Sequence, residues 1–215
     1  MRTTFLIIIT IMLLFGGLMQ GQQLQTIKLL KPSLENDKPF MQAIQERHSS
    51  REFVDKPLSL QDLSNVVWCA DGINRPDGHR TAPSAMNSQD IDVYVILKDG
   101  IYLYKPSDNE LAPLAAGDYR ADAGVQGYVA TAPLNLIYVS DLNKMKYGED
   151  RQAKLLTAAL DAGHCSENVY LYCAAAGLSV VVRASIDKEK LAKDLKLDPN
   201  QEIMIGQTVG YPKTE

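Results

Sequence analysis

The chain has 215 residues, with 26 acidic against 22 basic side chains, a formal net charge of −4 and an isoelectric point near 5.4. That balance excludes the basic face a nucleic-acid partner would require, and the length lets one domain bury a full hydrophobic core without covalent staples. The three cysteines, Cys69, Cys165 and Cys173, are therefore read as small buried hydrophobes rather than a disulfide framework. The latter two stand two turns apart on an expected helix, about 12 Å along its axis, too far to bridge.

Residues 1–21 have the layout of a secretory leader: Arg2 supplies a positive charge, Phe5 to Leu14 is almost wholly apolar, and Gly16 to Gly21 form a small-residue exit. The apolar run is short beside the roughly twenty residues of a membrane span. The expectation is an exported, periplasmic protein starting at Gln22, or a membrane-anchored one if the leader stays uncleaved. Residues 22–38 are polar and proline-containing, an arm leading to a helix from Pro39 to Arg47 with Phe40, Met41 and Ile44 on one side.

Next comes Arg47-His48-Ser49-Ser50-Arg51-Glu52-Phe53, two guanidiniums and two hydroxyls at close spacing. An arginine fork takes a phosphate bidentately, and hydroxyls complete the shell; a solvated helix end has the same composition. Ser59 opens a second helix carrying Leu60, Leu63, Val66, Val67 and Ala70 at helical spacing, and Asp71-Gly72 stops it. A proline-punctuated loop, Arg80 to Gln89, leads into a strand, and Asp99-Gly100 predicts a two-residue hairpin turn. Arg120 either overlooks a site or pairs with Asp118 or Asp122. Leu134 to Val139 suits a central strand.

The longest helix is predicted over 149–177, with Leu155, Ala159, Ala162, Val169, Tyr172 and Ala176 on its apolar side. Its small residues Ala158, Ala159, Ala162 and Gly163 permit close approach of another helix, in a deep core or at a dimer seam. Val180 to Arg183 reads as a strand, with Arg183 a pocket cation or a strand flank; a helix over 187–195 and a strand over 202–211 follow. Mixed helices and strands around a central hairpin predict an α+β fold. No ligand spacing for a metal, no G-x-S-x-G elbow and no dinucleotide fingerprint occurs.

Four segments in this order resemble the nitroreductase family of FMN-dependent oxidoreductases: R-H-S-x-R at Arg47–Arg51, P-S-x-x-N-x-Q at Pro83–Gln89, Asp161-Ala162-Gly163 with Asn168 and Ala174 to Leu178, and Gly206 to Lys213. The resemblance covers roughly residues 39 to 213. It implies a nitroreductase-like domain over 39–215, with a central, mainly antiparallel sheet between helices in α-β-α layers. It also implies a homodimer with two FMN sites at the subunit seam.

On that resemblance Arg47 and Ser49 hold the phosphate, with Lys213 a third contact from the tail. Arg51 is the cation beside the electron-rich edge of the reduced ring, or else a surface arginine paired with Glu52 or Asp55. His48 gives main-chain contacts. Pro83, Ser84 and Asn87 reach the flavin from the second subunit, or form an ordinary turn, and Gln126, expected on a core helix face, meets the ring's polar edge. No catalytic side chain is implied, because flavin N5 carries the chemistry: ping-pong hydride transfer from NAD(P)H or another donor to a nitroaromatic, quinone or similar small acceptor. Two departures stand out. The chain ends at Thr214-Glu215 where the family often adds a basic residue, and Val181 to Ser185 replace a segment that carries glutamate and glycine in many relatives. A non-enzymatic flavin- or ligand-binding protein retaining the fold is the alternative.

Overall fold

The computed structural model describes residues 23–35, 38–146 and 150–213; the expected leader lies outside the described residues. Within these, seven strands form one sheet: β1 Ile27–Lys28, β2 Ile91–Ile96, β3 Gly100–Lys105, β4 Glu110–Ala116, β5 Leu134–Asp141, β6 Ser179–Arg183 and β7 Gln201–Gly210. Their order is β1-β4-β3-β2-β5-β7-β6, and every pairing is antiparallel. The α-helices are α1 Phe40–Glu46, α2 Leu60–Asp71, α3 Arg151–Ala176 and α4 Lys188–Asp194.

The layering follows from the central strand. Leu134, Leu136 and Tyr138 of β5 pack into one core with Val66 and Val67 of α2 and with Ala162, Val169 and Cys173 of α3. Ile137 and Val139 face the other way, against Leu191 and Leu195 at α4. A strand covered on both faces is apolar at every position instead of alternating. The result is the α-β-α architecture implied by the sequence resemblance.

Local signals hold at most helix ends. Ser59 Oγ accepts the Asp62 N–H at 3.0 Å to start α2, and Asp187 caps α4 by accepting from Lys190. Gly177 ends α3 with φ at 70°, and Leu178 N–H returns to the Cys173 carbonyl at 2.9 Å.

Other expectations need correction. In the hairpin Leu97 N–H donates to the Gly100 carbonyl at 2.9 Å, so Lys98-Asp99 form the corner and Gly100 opens β3. A Cβ at Gly100 would meet Leu24 at 2.5 Å and the Ala115 carbonyl at 2.6 Å, so close strand packing selects this glycine. On α3 the buried side is Ala158, Asp161, Ala162, Cys165, Ser166, Val169, Tyr170 and Cys173, whereas Ala159 and Ala176 are exposed. Polar residues take inward positions there while Leu156 and Leu160 face out, which rotates the true face from the hydrophobic one. Likewise α1 buries only Ala43 and exposes Phe40, Met41 and Ile44. Strands β1 and β4 were not expected: β1 lies in the supposed arm, and β4 carries Pro113 among alanines. Of the cysteines, all free, Cys165 and Cys173 are buried and Cys69 is half-buried.

Candidate functional site

After α1 the chain turns along β6, the last strand of the sheet. An edge strand leaves a row of backbone groups unpaired, and the first motif covers them. Ser50 N–H donates to the Val180 carbonyl at 2.9 Å, and Ser179 Oγ donates to Ser50 Oγ at 3.1 Å. Tyr170, rising from α3, takes the next position: its phenol oxygen accepts the Val182 N–H at 2.8 Å and lies 2.8 Å from Ser49 Oγ. The Arg47 guanidinium stands over the same ring, 5.2 Å from its centroid. His48 Nδ1 lies 2.7 Å from the Glu46 carbonyl. A carbonyl only accepts, so Nδ1 carries the proton and the imidazole ties down the helix end.

Charge decides what this loop can receive. Of the nearby acids, Glu46 pairs with Lys38 at 2.6 Å and Asp55 sits 3.8 Å from Arg120, while Glu52 makes no ion pair among the described residues. Among the described residues neither Arg47 nor Arg51 has an ion-pair partner. The pairing of Arg51 with Glu52 or Asp55 is therefore not observed. The unneutralised Arg47 guanidinium over the Tyr170 ring, with the Ser49 hydroxyl on that ring's oxygen, forms an anion-receiving donor set, and a phosphate dianion suits it. This donor set fits the phosphate end of FMN.

The second motif is anchored elsewhere. Ala85 N–H donates to Asp161 Oδ2 at 3.1 Å, and Asn168 Nδ2 donates to the Thr81 carbonyl at 3.2 Å, both on α3. Ser84 Oγ accepts from Gln89 N–H at 2.8 Å, and its carbonyl accepts from Asn87 N–H at 3.0 Å. Met86, Asn87 and Gln89 all hold positive φ, at 51°, 52° and 48°, a strained turn kept by these bonds. Pro83 and Asn87 remain exposed. Asp161 is buried, and burial first, then the negative charge of neighbouring Asp90, raises its pKa. The anchors Asp161 and Tyr170 stand nine residues apart on α3, about 14 Å along the helix.

An open cleft of about 440 Å³ runs between α1, α2 and α3, lined by Phe40, Trp68, Thr81, Asn168, Leu171 and Tyr172 among others. That is within the usual size range of small-molecule sites. Neither motif arginine lines it.

Three further residues are placed by the structure. Gln126 is not on a core helix but precedes a short 3₁₀ turn, Gly127–Ala130, with Oε1 buried and unpartnered among the described residues. Arg183 ends β6, the strand-flank alternative rather than the pocket cation. It is buried, with Nη2 donating to the Ala123 carbonyl at 2.9 Å and Asn135 Oδ1 at 3.0 Å, and desolvation lowers its pKa to about 10. Arg120 is bidentate to Asp118, at 2.9 and 2.7 Å, which resolves its alternative pairings; Asp122 pairs with Lys190. Its charge is thereby neutralised.

The tail begins beside the first motif, since Gly210 lies opposite Ser179 in the β6–β7 ladder. Tyr211 O then accepts Val54 N–H at 3.0 Å, and its phenol donates to Asp62 at 2.7 Å. Lys213 follows, exposed. Tyr170 was missed as a site residue; on α3 its inward face emerges only when polar inward positions such as Asp161 and Ser166 are admitted.

Comparison with known proteins agrees with this geometry. The chain is similar to a nitroreductase-type structure from Ralstonia eutropha, 37% identical with a TM-score of 0.84, covering 93% of this chain and 97% of that one. A nitroreductase-type protein of Methanocaldococcus jannaschii is 28% identical over 184 residues, which is 80% of this chain and 91% of the relative. A nitroreductase-type structure from Desulfovibrio desulfuricans, in complex with FMN, is 23% identical with a TM-score of 0.61, covering 83% of this chain and 88% of that one. The Nitroreductase family model matches residues 44–211, from the end of α1 through the first residue of the tail, and the chain belongs to the nitroreductase family.

Proposed function

We infer that the protein is an FMN-dependent oxidoreductase acting on small molecules. The observation that carries this is the pair of unneutralised arginines, Arg47 and Arg51, on the loop that covers β6. Family membership and the FMN complex of the Desulfovibrio desulfuricans relative support the same reading. Arg47 and Ser49 would hold the phosphate, with Lys213 adding charge from the tail and His48 fixing the helix end. Arg51 would face the ring edge that gains negative charge, and Gln126 would offer its amide to that ring. Bound FMN would supply hydride acceptance and donation in two half-reactions, from NAD(P)H or another donor to a nitroaromatic, quinone or similar acceptor. The protein's part is binding, orientation and electrostatics, so no acid–base dyad is required.

The test is the absorption of the purified protein. A yellow preparation that bleaches with NADH or NADPH and recolours with a nitroaromatic is expected. Colourless protein that ignores added FMN would refute the reading, and yellow protein inert to every donor would instead favour a binding protein that keeps the fold. The export expected from residues 1–21 belongs to the same proposal; in that compartment a donor other than NAD(P)H is the natural one.

A homodimer completes the proposal. Pro83, Ser84 and Asn87 would reach the partner's flavin, consistent with the 14 Å scale separating the two anchors on α3. Leu156 and Leu160 are 67% and 60% exposed on α3, and Phe40 and Met41 on α1 are 64% and 71% exposed, apolar area that a partner would cover. Leu160→Glu, placing a charge in that seam, is expected to yield a folded monomer by light scattering with little bound flavin. A dimer of unchanged flavin content would place the seam elsewhere.

A further inference from the structure

Tyr170 is the one buried side chain that touches the first motif at two points and β6 at a third. It is 4% exposed. Its oxygen lies 2.8 Å from both the Val182 nitrogen and Ser49 Oγ, and its ring lies beneath Arg47 at 5.2 Å. The proton positions follow by elimination. Val182 N–H can only donate, so the phenol oxygen accepts it. The phenol's own hydrogen then needs an acceptor, because a buried O–H left unpaired is costly. Ser49 Oγ is the acceptor the structure supplies. With one lone pair engaged by Tyr170, the serine keeps its own hydrogen to offer to a ligand.

We propose that Tyr170 is a positioning residue for phosphate recognition: a relay running Val182 N–H to Tyr170 O–H to Ser49 O–H that ends as a donor beside the Arg47 guanidinium, which the same ring holds in place. Each donor in such a chain polarises the next, so the terminal hydroxyl is a better donor than an isolated serine. The relay also explains a departure noted in the sequence. The segment after Leu178 lacks the family's glutamate and glycine, yet its Val182 backbone is tied to the phosphate end of the site through one phenol. This inference rests on the flavin reading and adds a specificity to it, for the phosphorylated cofactor over the unphosphorylated one.

FMN and riboflavin differ in the phosphate alone, so their dissociation constants, measured by fluorescence quenching on the intact protein, isolate the relay. Tyr170→Phe keeps the ring and its packing but removes the oxygen. It is expected to weaken FMN roughly five- to tenfold while riboflavin binding stays within about twofold. Ser49→Ala, at an exposed position, is expected to give the same selective loss, and the double variant to lose no more than either single one. A Tyr170→Phe protein that keeps the wild-type ratio of the two affinities, or weakens both flavins equally, would overturn the relay while leaving the flavin reading intact. Should wild-type protein bind neither flavin, the flavin reading fails. The relay is then decided on inorganic phosphate, whose affinity falls by the same factor in Tyr170→Phe if the relay exists and is unchanged if it does not.

Discussion

Arg47→Ala is expected to strip the purified protein of most of its flavin. A charge-assisted contact to a phosphate oxygen contributes about 1.5–3 kcal/mol, so the loss corresponds to roughly a ten- to 150-fold weaker complex. The structure argues for a value toward the upper end. Among the described residues no carboxylate balances this guanidinium, so its full field is available to a ligand, and the Tyr170 ring beneath it fixes its direction. Arg47→Lys should recover only part of the loss, because an ammonium restores the charge but neither the planar fork nor the stacking. Flavin content per protein, read from the absorbance ratio, checks both. Wild-type flavin content in Arg47→Ala would mean the phosphate lies elsewhere.

The parts of this site that were legible in the sequence are those whose chemistry is local. Two arginines and two hydroxyls within five residues offer an anion site or a solvated helix end, and among the described residues the structure gives neither arginine an ion-pair partner. Hidden were the features that depend on what the fold brings from afar. Tyr170 is 121 residues from Ser49, and helical periodicity tells only that a ring points inward, not which loop it meets. Gln126 was expected on a core helix face, whereas the chain at Gly124 and Gly127 breaks into 3₁₀ turns. The same division holds for the fold. Strand β5, covered on both faces, declared itself by the mostly apolar, β-branched and aromatic run from Leu134 to Val139, while β4 hid behind Pro113 and three alanines, residues poor in strand propensity that tertiary pairing with β3 overrides. The face of α3 was misjudged for the converse reason: Leu156 and Leu160 stay outside while Asp161 goes in, a pattern that a partner subunit and a polar network, not hydrophobicity, would select.

Asp71, read from sequence as no more than a helix stop, carries the second large effect. It closes α2 with its side chain 9% exposed and 3.7 Å from Arg80. The two influences oppose one another: Arg80 favours the carboxylate and burial disfavours it. Burial wins, pushing the Asp71 pKa up to about 7, with Asp90 and Asp92 adding to the rise and Lys144 subtracting. The folded pKa therefore lies above the unfolded value of 3.8, so between these pH values the native state binds a proton that the unfolded chain does not. Stability must then fall as pH rises through this window, and the penalty is complete above it. Asp161, raised for the same leading reason, acts in the same direction. Asp71→Asn removes the ionisation at nearly constant shape and is expected to gain about 2 kcal/mol at pH ~8, or about 4–8 °C in Tm, after allowing for the lost attraction to Arg80. At pH ~3 the carboxyl is protonated in both the native and the unfolded state, and there the substitution should change Tm by less than about 2 °C. Thermal melts of the two proteins across this range decide it. A substitution equally stabilising at both pH values, or destabilising at the higher one, would show that Arg80 keeps Asp71 ionised in the fold.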